Sequence, residues 1–214
     1  MGRLLDKLLR RDRSAQEVCS AVVAAAGNSV RMGGENKLLL PLEGIPVLAR
    51  TLLALENASR VAEIVVAVRE DYLQITAELC KVYGVKKPVK IVRGGATRAE
   101  SVLAAALECR EDARIIAVHD GARPMVSQAV LEGAILRARE CGAAAPAVPV
   151  KDTVKRAKDG LVSATLERSE LFAVQTPQVF EPSLLKAALS KALEDGAELT
   201  DDCAAVERLG IGVA

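Results

Sequence analysis

The chain has 214 residues, half of them apolar, with 29 Lys and Arg against 28 Asp and Glu and a formal net charge of +1. That length supports one sizeable core or two small ones, and the near-neutral balance excludes an overall field that would draw the protein to nucleic acid or a membrane surface. With no Trp, two Tyr and two Phe, it lacks the aromatic platforms on which single-stranded nucleic acid stacks.

Met1 to Arg13 mixes Leu4, Leu5, Leu8 and Leu9 with Asp6, Lys7, Arg10 and Arg11. No uninterrupted apolar core is present, so residues 1–17 read as an amphipathic leader rather than a secretory signal or a membrane span. Cys19, Cys80, Cys109, Cys141 and Cys203 are far apart, odd in number and contain no Cys-x-x-Cys pair. Buried free thiols in a reducing, cytoplasmic setting are expected, not a zinc site or a disulfide frame.

From there apolar runs alternate with helical patterns. Cys19 to Ala25, Glu63 to Val68, Val89 to Val92, Arg114 to Val118 and Ala143 to Val150 have strand-like length and composition. Between them Pro46 to Ala58, Asp71 to Tyr83, Thr97 to Arg110 and Ser127 to Cys141 space their apolar residues three to four apart. This alternation predicts an α/β fold with a mostly parallel, doubly wound sheet covered on both faces, and residues 18–214 read as a single domain. Ligands in such sheets gather beyond the carboxyl ends of the strands, which directs attention to the loops there.

The first such loop follows Val22 to Ala25 and reads Ala26, Gly27, Asn28, Ser29, Val30, Arg31, Met32, Gly33, Gly34, Glu35, Asn36, Lys37. Small residues leave backbone N–H groups free to point at an anion, and Arg31 and Lys37 add the charge a polyphosphate needs. Lys37 is followed by Leu38, which excludes a Walker A loop, and the glycine spacing is not that of a dinucleotide fingerprint. Alone, the stretch reads equally as a strand-to-helix connection with surface cations.

The second loop is Arg93, Gly94, Gly95, Ala96, Thr97, Arg98, Ala99, Glu100, Ser101. Its glycines expose backbone groups that suit the edge of a small flat base; a glycine turn with Thr97 as helix cap is the plainer alternative. The third, His119, Asp120, Gly121, Ala122, Arg123, Pro124, places an acid directly beyond a buried strand, where it suits Mg²⁺. The alternative there is a turn residue paired with Arg123. His119 is the single histidine, and without a nearby serine it reads as structural rather than as part of a triad.

Lys151 to Arg156 and Leu161 to Leu166 flank Lys158, Asp159, Gly160, a turn signal that predicts a β-hairpin. Both arms are too polar for the core, so the ribbon is expected to project as a homodimerisation arm, with a solvated loop as the alternative.

In order, Ala25-Ala26-Gly27 with Arg31-Met32 and Lys37, Gly94-Gly95 with Arg98 and Ser101, and His119-Asp120-Gly121-Ala122-Arg123-Pro124 carry a resemblance. It continues through Pro149-Val150-Lys151-Asp152-Thr153-Val154-Lys155-Arg156, Arg168, Gln175-Thr176-Pro177-Gln178 and Thr200-Asp201-Asp202. From about Val18 to its end the chain resembles the 2-C-methyl-D-erythritol 4-phosphate cytidylyltransferases of isoprenoid precursor synthesis. The resemblance implies a Rossmann-like nucleotidyltransferase domain that makes a cytidine diphospho-alcohol and pyrophosphate from CTP and a polyol phosphate, with Mg²⁺. It assigns charge stabilisation at the α-phosphate to Arg31 and Lys37, and Mg²⁺ to Asp120. CTP contacts fall to Ala25, Ala26, Gly27, Gly95 and Ser101. The polyol phosphate falls to Thr153, Arg168, Thr176 and Arg123, with Thr153 and Arg168 reaching in from a partner's arm.

Two departures stand out. Ala96 occupies a position where family members often carry an acid, and the family's later strand and Asn-Ile-Lys segment, whose lysine helps grip the substrate phosphate, has no counterpart here. The rival readings are a ribitol-5-phosphate cytidylyltransferase, a nucleotide-binding or dimerisation module without catalysis, and, more remotely, a dehydrogenase.

Overall fold

The structure, a computed structural model, describes residues 19–27 and 36–214; the leader and Arg31 lie outside the described residues. Strand β1 (Cys19–Ala25) is buried or nearly so along its whole length, as a mostly apolar strand covered on both faces must be, and its one polar residue, Ser20, donates to Glu63 Oε1 at 2.6 Å. A two-strand ribbon, β2 (Pro41–Leu42) and β3 (Ile45–Pro46), leads into helix α1 (Val47–Glu56). Then follow β4 (Val61–Val68), a 3₁₀ turn at Glu70–Tyr72, α2 (Leu73–Val82), β5 (Val89–Arg93), α3 (Arg98–Leu107) and β6 (Ile115–Asp120). Helix α4 (Gln128–Cys141) stops at Gly142, whose φ of 84° is the left-handed conformation that closes a helix. The remainder comprises β7 (Ala143–Ala144), β8 (Ala147–Pro149), β9 (Lys155–Lys158), β10 (Leu161–Thr165), β11 (Phe172–Val174), β12 (Gln178–Phe180), α5 (Pro182–Glu194) and α6 (Asp202–Glu207).

Six strands form the central sheet in the order β5-β4-β1-β6-β12-β7. The first four are parallel, and β12 runs antiparallel to both of its neighbours. The chain steps outward from β1 to β4 and β5, then returns to lay β6 on the other side of β1. The strand order therefore reverses between β1 and β6, the place where open α/β sheets bind ligands.

Alternation along β1 sends Ala21 and Val23 to one face and Val22 to the other. On the first face they meet Leu48, Leu52 and Leu55 of α1 with Leu131 and Ile135 of α4. On the second they meet Val102 and Ala106 of α3 with Leu185 and Leu189 of α5. The doubly wound, mostly parallel expectation holds, and each fully buried Leu or Ile contributes about 1.5–3 kcal/mol.

Two expectations need correction. Ala143 to Val150 is not one strand: β7 edges the main sheet, whereas β8 pairs with β11 in a separate ribbon. Pro146 lies between them, offers no N–H to a ladder, and gives its carbonyl to Gln175 N at 2.8 Å. The hairpin is shorter than expected, since β9 begins only at Lys155. Backbone pairing reaches one step further back through Leu166 N and Val154 O at 3.0 Å. Its turn is as expected: Asp159 and Gly160 have φ of 53° and 79°, the pair of left-handed residues that a two-residue hairpin turn requires.

Candidate functional site

The loop after β5 is fixed from both sides. Gly94 N donates to Val68 O at 2.8 Å. Thr97 and Glu100 form a reciprocal capping box at the start of α3. Ser101, buried in the first turn of that helix, donates to Thr97 O at 2.8 Å and accepts from Gly95 N at 3.1 Å. A Cβ at Gly94 would collide with Ala26 Cβ and stand 2.8 Å from Ser101 Oγ. The helix cap and the close approach are thus both present, and Ala26, Gly94, Gly95 and Ser101 share one small neighbourhood at the ends of β1 and β5. Gly27 is different: a Cβ there would meet nothing within 4 Å among the described residues.

Asp120 ends β6 in register with Ala24, and Gly121 N donates to Ala24 O at 3.0 Å. Its carboxylate accepts from Arg98 Nη2 at 3.2 Å and from Arg123 Nε at 3.0 Å. Burial alone would raise the Asp120 pKa, but the two guanidinium groups outweigh it and hold the carboxyl below its ordinary range. The pairing with Arg123, the alternative reading of this loop, is present. Arg123 also donates to Gln175 Oε1, and Arg98 reaches Asp202 Oδ2 at 2.7 Å. Burial pushes the Asp202 carboxyl up, against the pull of Arg98.

Thr176, buried just before β12, joins the same group: its Oγ1 accepts from Asp120 N at 3.4 Å and lies 2.8 Å from His119 Nδ1. His119 is completely buried and bonded at both ring nitrogens, a structural histidine as expected. Lys37 is exposed on a turn organised by Asn36, whose Oδ1 and backbone O accept from Leu38 N at 3.0 Å and Leu39 N at 2.9 Å. Buried Leu38 anchors that turn to the core under α1.

Thr153 and Arg168 stand elsewhere. They line an open cleft of about 580 Å³ at the base of the hairpin, where Arg168 Nη1 donates to Lys151 O at 3.1 Å. The residues lining it include none of the Asp120 group.

Residues 19–214 match the family model for 2-C-methyl-D-erythritol 4-phosphate cytidylyltransferase. The chain belongs to this family. Proteins of that name from Bacillus cereus and Symbiobacterium thermophilum are 43% and 44% identical over 190 and 196 residues. Those alignments cover 88% and 91% of this chain, and 84% and 81% of the relatives. A crystal structure of 4-diphosphocytidyl-2C-methyl-D-erythritol synthase from Anaerococcus prevotii superposes with a TM-score of 0.82 at 28% identity, covering 92% of this chain and 86% of that one. The 2-C-methyl-D-erythritol 4-phosphate cytidylyltransferase of Thermus thermophilus gives 0.71 at 30% identity, covering 91% and 85%.

For a cytidylyltransferase the donor set at Asp120 matters. Among the described residues no group of three or more His, Cys, Asp and Glu converges on a point. Mg²⁺ does not need one, because it keeps several waters and takes one or two carboxylates plus phosphate oxygens. The Asp120 side chain is 31% exposed, and each of its oxygens bonds one guanidinium while a carboxylate offers about four lone-pair sites. The residues fit the ion. Sequence reasoning gave no role to Arg98, Asp202 or Gln175; Arg98 and Asp202 are 104 positions apart, and no local pattern signals their pairing.

Proposed function

We propose that the chain transfers CMP from CTP to 2-C-methyl-D-erythritol 4-phosphate, releasing pyrophosphate and forming 4-diphosphocytidyl-2-C-methyl-D-erythritol. The observation that carries this is family membership across residues 19–214. Its structural support is Ala26, Gly94 and Ser101 gathered at one side of the switch point, with Asp120 and two arginines at the other.

On this reading the backbone at Ala25, Ala26 and Gly27 follows the nucleotide, while Gly95 and Ser101 read the edge of cytosine. The phosphate oxygen of the polyol attacks the α-phosphorus in line; the new P–O bond forms as the bond to the pyrophosphate leaving group breaks. No covalent enzyme intermediate is involved, so the protein contributes positioning and charge neutralisation. Lys37 and Arg31 meet the charge that accumulates on the α-phosphate. Asp120 would hold Mg²⁺, whose contribution when bound is to neutralise triphosphate oxygens. Arg123 binds the polyol phosphate beside it, and Thr176 helps by holding the Asp120 backbone N–H in place.

A second copy of the chain supplies Thr153 and Arg168 through its hairpin. The support is that these two residues lie apart from the Asp120 group, at the base of a ribbon whose Leu161 and Val162 are 75% and 64% exposed. No helix among the described residues is long and apolar enough to cross a membrane, and four of the five free cysteines are buried, which agrees with work in the cytoplasm.

The test is pyrophosphate release with CTP and Mg²⁺, with 2-C-methyl-D-erythritol 4-phosphate present, omitted, or replaced by ribitol 5-phosphate. Release that depends on the methylerythritol substrate is expected. Equal release with the ribitol compound would overturn the assignment of substrate, and none with either would overturn the activity.

A further inference from the structure

Four charged side chains alternate in sign from the interior to the solvent: Asp202, Arg98, Asp120 and Arg123. Their side chains are 1%, 33%, 31% and 43% exposed in that order. Arg98 is the bridge, with Nη1 on Asp202 Oδ2 at 2.7 Å and Nη2 on Asp120 Oδ1 at 3.2 Å. Asp202 is held firmly in place. Its N–H donates to Gln178 Oε1 at 2.9 Å, and Gln178 Nε2 donates to Asp201 Oδ2 at 2.8 Å. Yet Asp202 Oδ1 is buried with no hydrogen-bond partner among the described residues. A buried carboxylate satisfied on one oxygen only is a poor way to gain stability, and that directs attention to what it does to its partner.

We propose that Asp202 is a positioning residue for the Asp120 site: from inside the protein it draws the Arg98 guanidinium partly away from Asp120, so that Asp120 keeps enough negative charge to hold a divalent cation. This rests on the reading of Asp120 as the cation-binding group. With Asp202 the four groups sum to zero charge. Without it Asp120 stands alone between two guanidiniums, a local excess of one positive charge that opposes a cation and favours a bare phosphate. At the few-ångström spacings of this chain, one uncompensated charge corresponds to about a tenfold change in cation affinity.

The experiment compares wild type with Asp202→Asn, which keeps the shape and removes the charge. Mn²⁺ binding is titrated by electron paramagnetic resonance in the presence of CTP, and Mg²⁺ activation of pyrophosphate release is measured alongside. The half-saturating Mn²⁺ and Mg²⁺ concentrations are expected to rise together by about tenfold, with kcat at saturating Mg²⁺ and the KM for CTP changed far less. Asp202→Glu, which retains a carboxylate, is expected to bring both half-saturation values back toward wild type. Unchanged values in Asp202→Asn, with any loss confined to kcat or to thermal stability, would overturn the inference. Should Asp202→Asn not fold, Asp202→Ser serves the same comparison. The two proposals fail differently. A wild type that binds Mn²⁺ with CTP but releases no pyrophosphate overturns the activity, while the Mn²⁺ titration of the variant still decides the role of Asp202.

Discussion

The Thr176 hydroxyl, 2.8 Å from Nδ1 of His119, defines the protonation of that buried ring. Nε2 lies 3.0 Å from Arg123 O, a carbonyl that only accepts, so Nε2 carries the hydrogen. Nδ1 is then an acceptor and Thr176 its donor, which leaves the Thr176 oxygen lone pairs for Asp120 N–H. Burial is the main influence on the ring and lowers its pKa, consistent with a neutral imidazole. Thr176→Val keeps the shape but leaves Nδ1 and the Asp120 N–H unpaired. We expect a loss of about 1–3 kcal/mol in urea unfolding, largely recovered in Thr176→Ser; an unfolding midpoint equal to wild type would refute the bond's role.

Gly94 makes a steric prediction. An added methyl meets Ala26 Cβ, which is fixed to the backbone and cannot swing aside, and Ser101 Oγ, which is tied down by Thr97 O. Gly94→Ala is therefore expected to raise the KM for CTP by roughly tenfold or more, corresponding to at least about 1.4 kcal/mol. Gly133, in α4, is the control: a Cβ there meets nothing within 4 Å, and Gly133→Ala should stabilise the protein by about 0.5–1 kcal/mol without touching catalysis. Isothermal titration with CTP and thermal melts read the two effects separately.

Charge at the α-phosphate is tested by Lys37→Ala and Arg31→Ala. Loss of one such donor costs roughly 3 kcal/mol, about a hundredfold in turnover. The exposure of Lys37 predicts little change in folding when it is truncated. Steady-state kinetics with a circular-dichroism melt is the measurement, and near-normal turnover in either variant would remove that residue from the mechanism.

The buried thiols set an alkaline limit on stability. Burial pushes Cys19, Cys109 and Cys203 up to about 12, from an ordinary 9.0. Above pH 9 these groups ionise in the unfolded chain but stay protonated in the folded one. The unfolded state then binds fewer protons, so stability falls as pH rises between 9 and 12. The slope approaches about 1.4 kcal/mol per pH unit for each thiol. Urea midpoints at pH 8 and pH 10 should show the fall, and Cys109→Ser should lessen it. At pH 8 a thiol reagent should label the exposed Cys141 rapidly and the other four cysteines only in denaturant.

Local signals carried much of this molecule. The mostly apolar run of β1, the Thr97 cap of α3 and the Asp159-Gly160 turn are each encoded within a few residues, and each stands where its pattern pointed. Other features depend on what arrives from far along the chain. Pro146 looked like part of a strand because its neighbours are apolar, but its missing N–H divides the run. Three-residue β12 is too short to display a period, and it is a strand only because β6 and β7 flank it. Asp202 shows the same limit for the site. It stands in the Thr200-Asp201-Asp202 motif, but as one acid among 28 acidic residues it has no role until the fold brings Arg98 to it.

Because β12 runs against β6, Gln178 lies opposite Val118 and Phe180 opposite Ile116. The amino end of this return strand thereby meets the working rim of the sheet, and its carboxyl end faces the opposite rim, where Glu181 caps α5. Insertions or deletions beyond Phe180 can lengthen or shorten α5 without displacing Gln175 or Thr176. Removing a single residue between Thr176 and Gln178 would instead drag both polar groups out of alignment. Natural length variation should accordingly be forbidden in front of this strand, and behind it tolerated only where Asp202 still reaches Arg98.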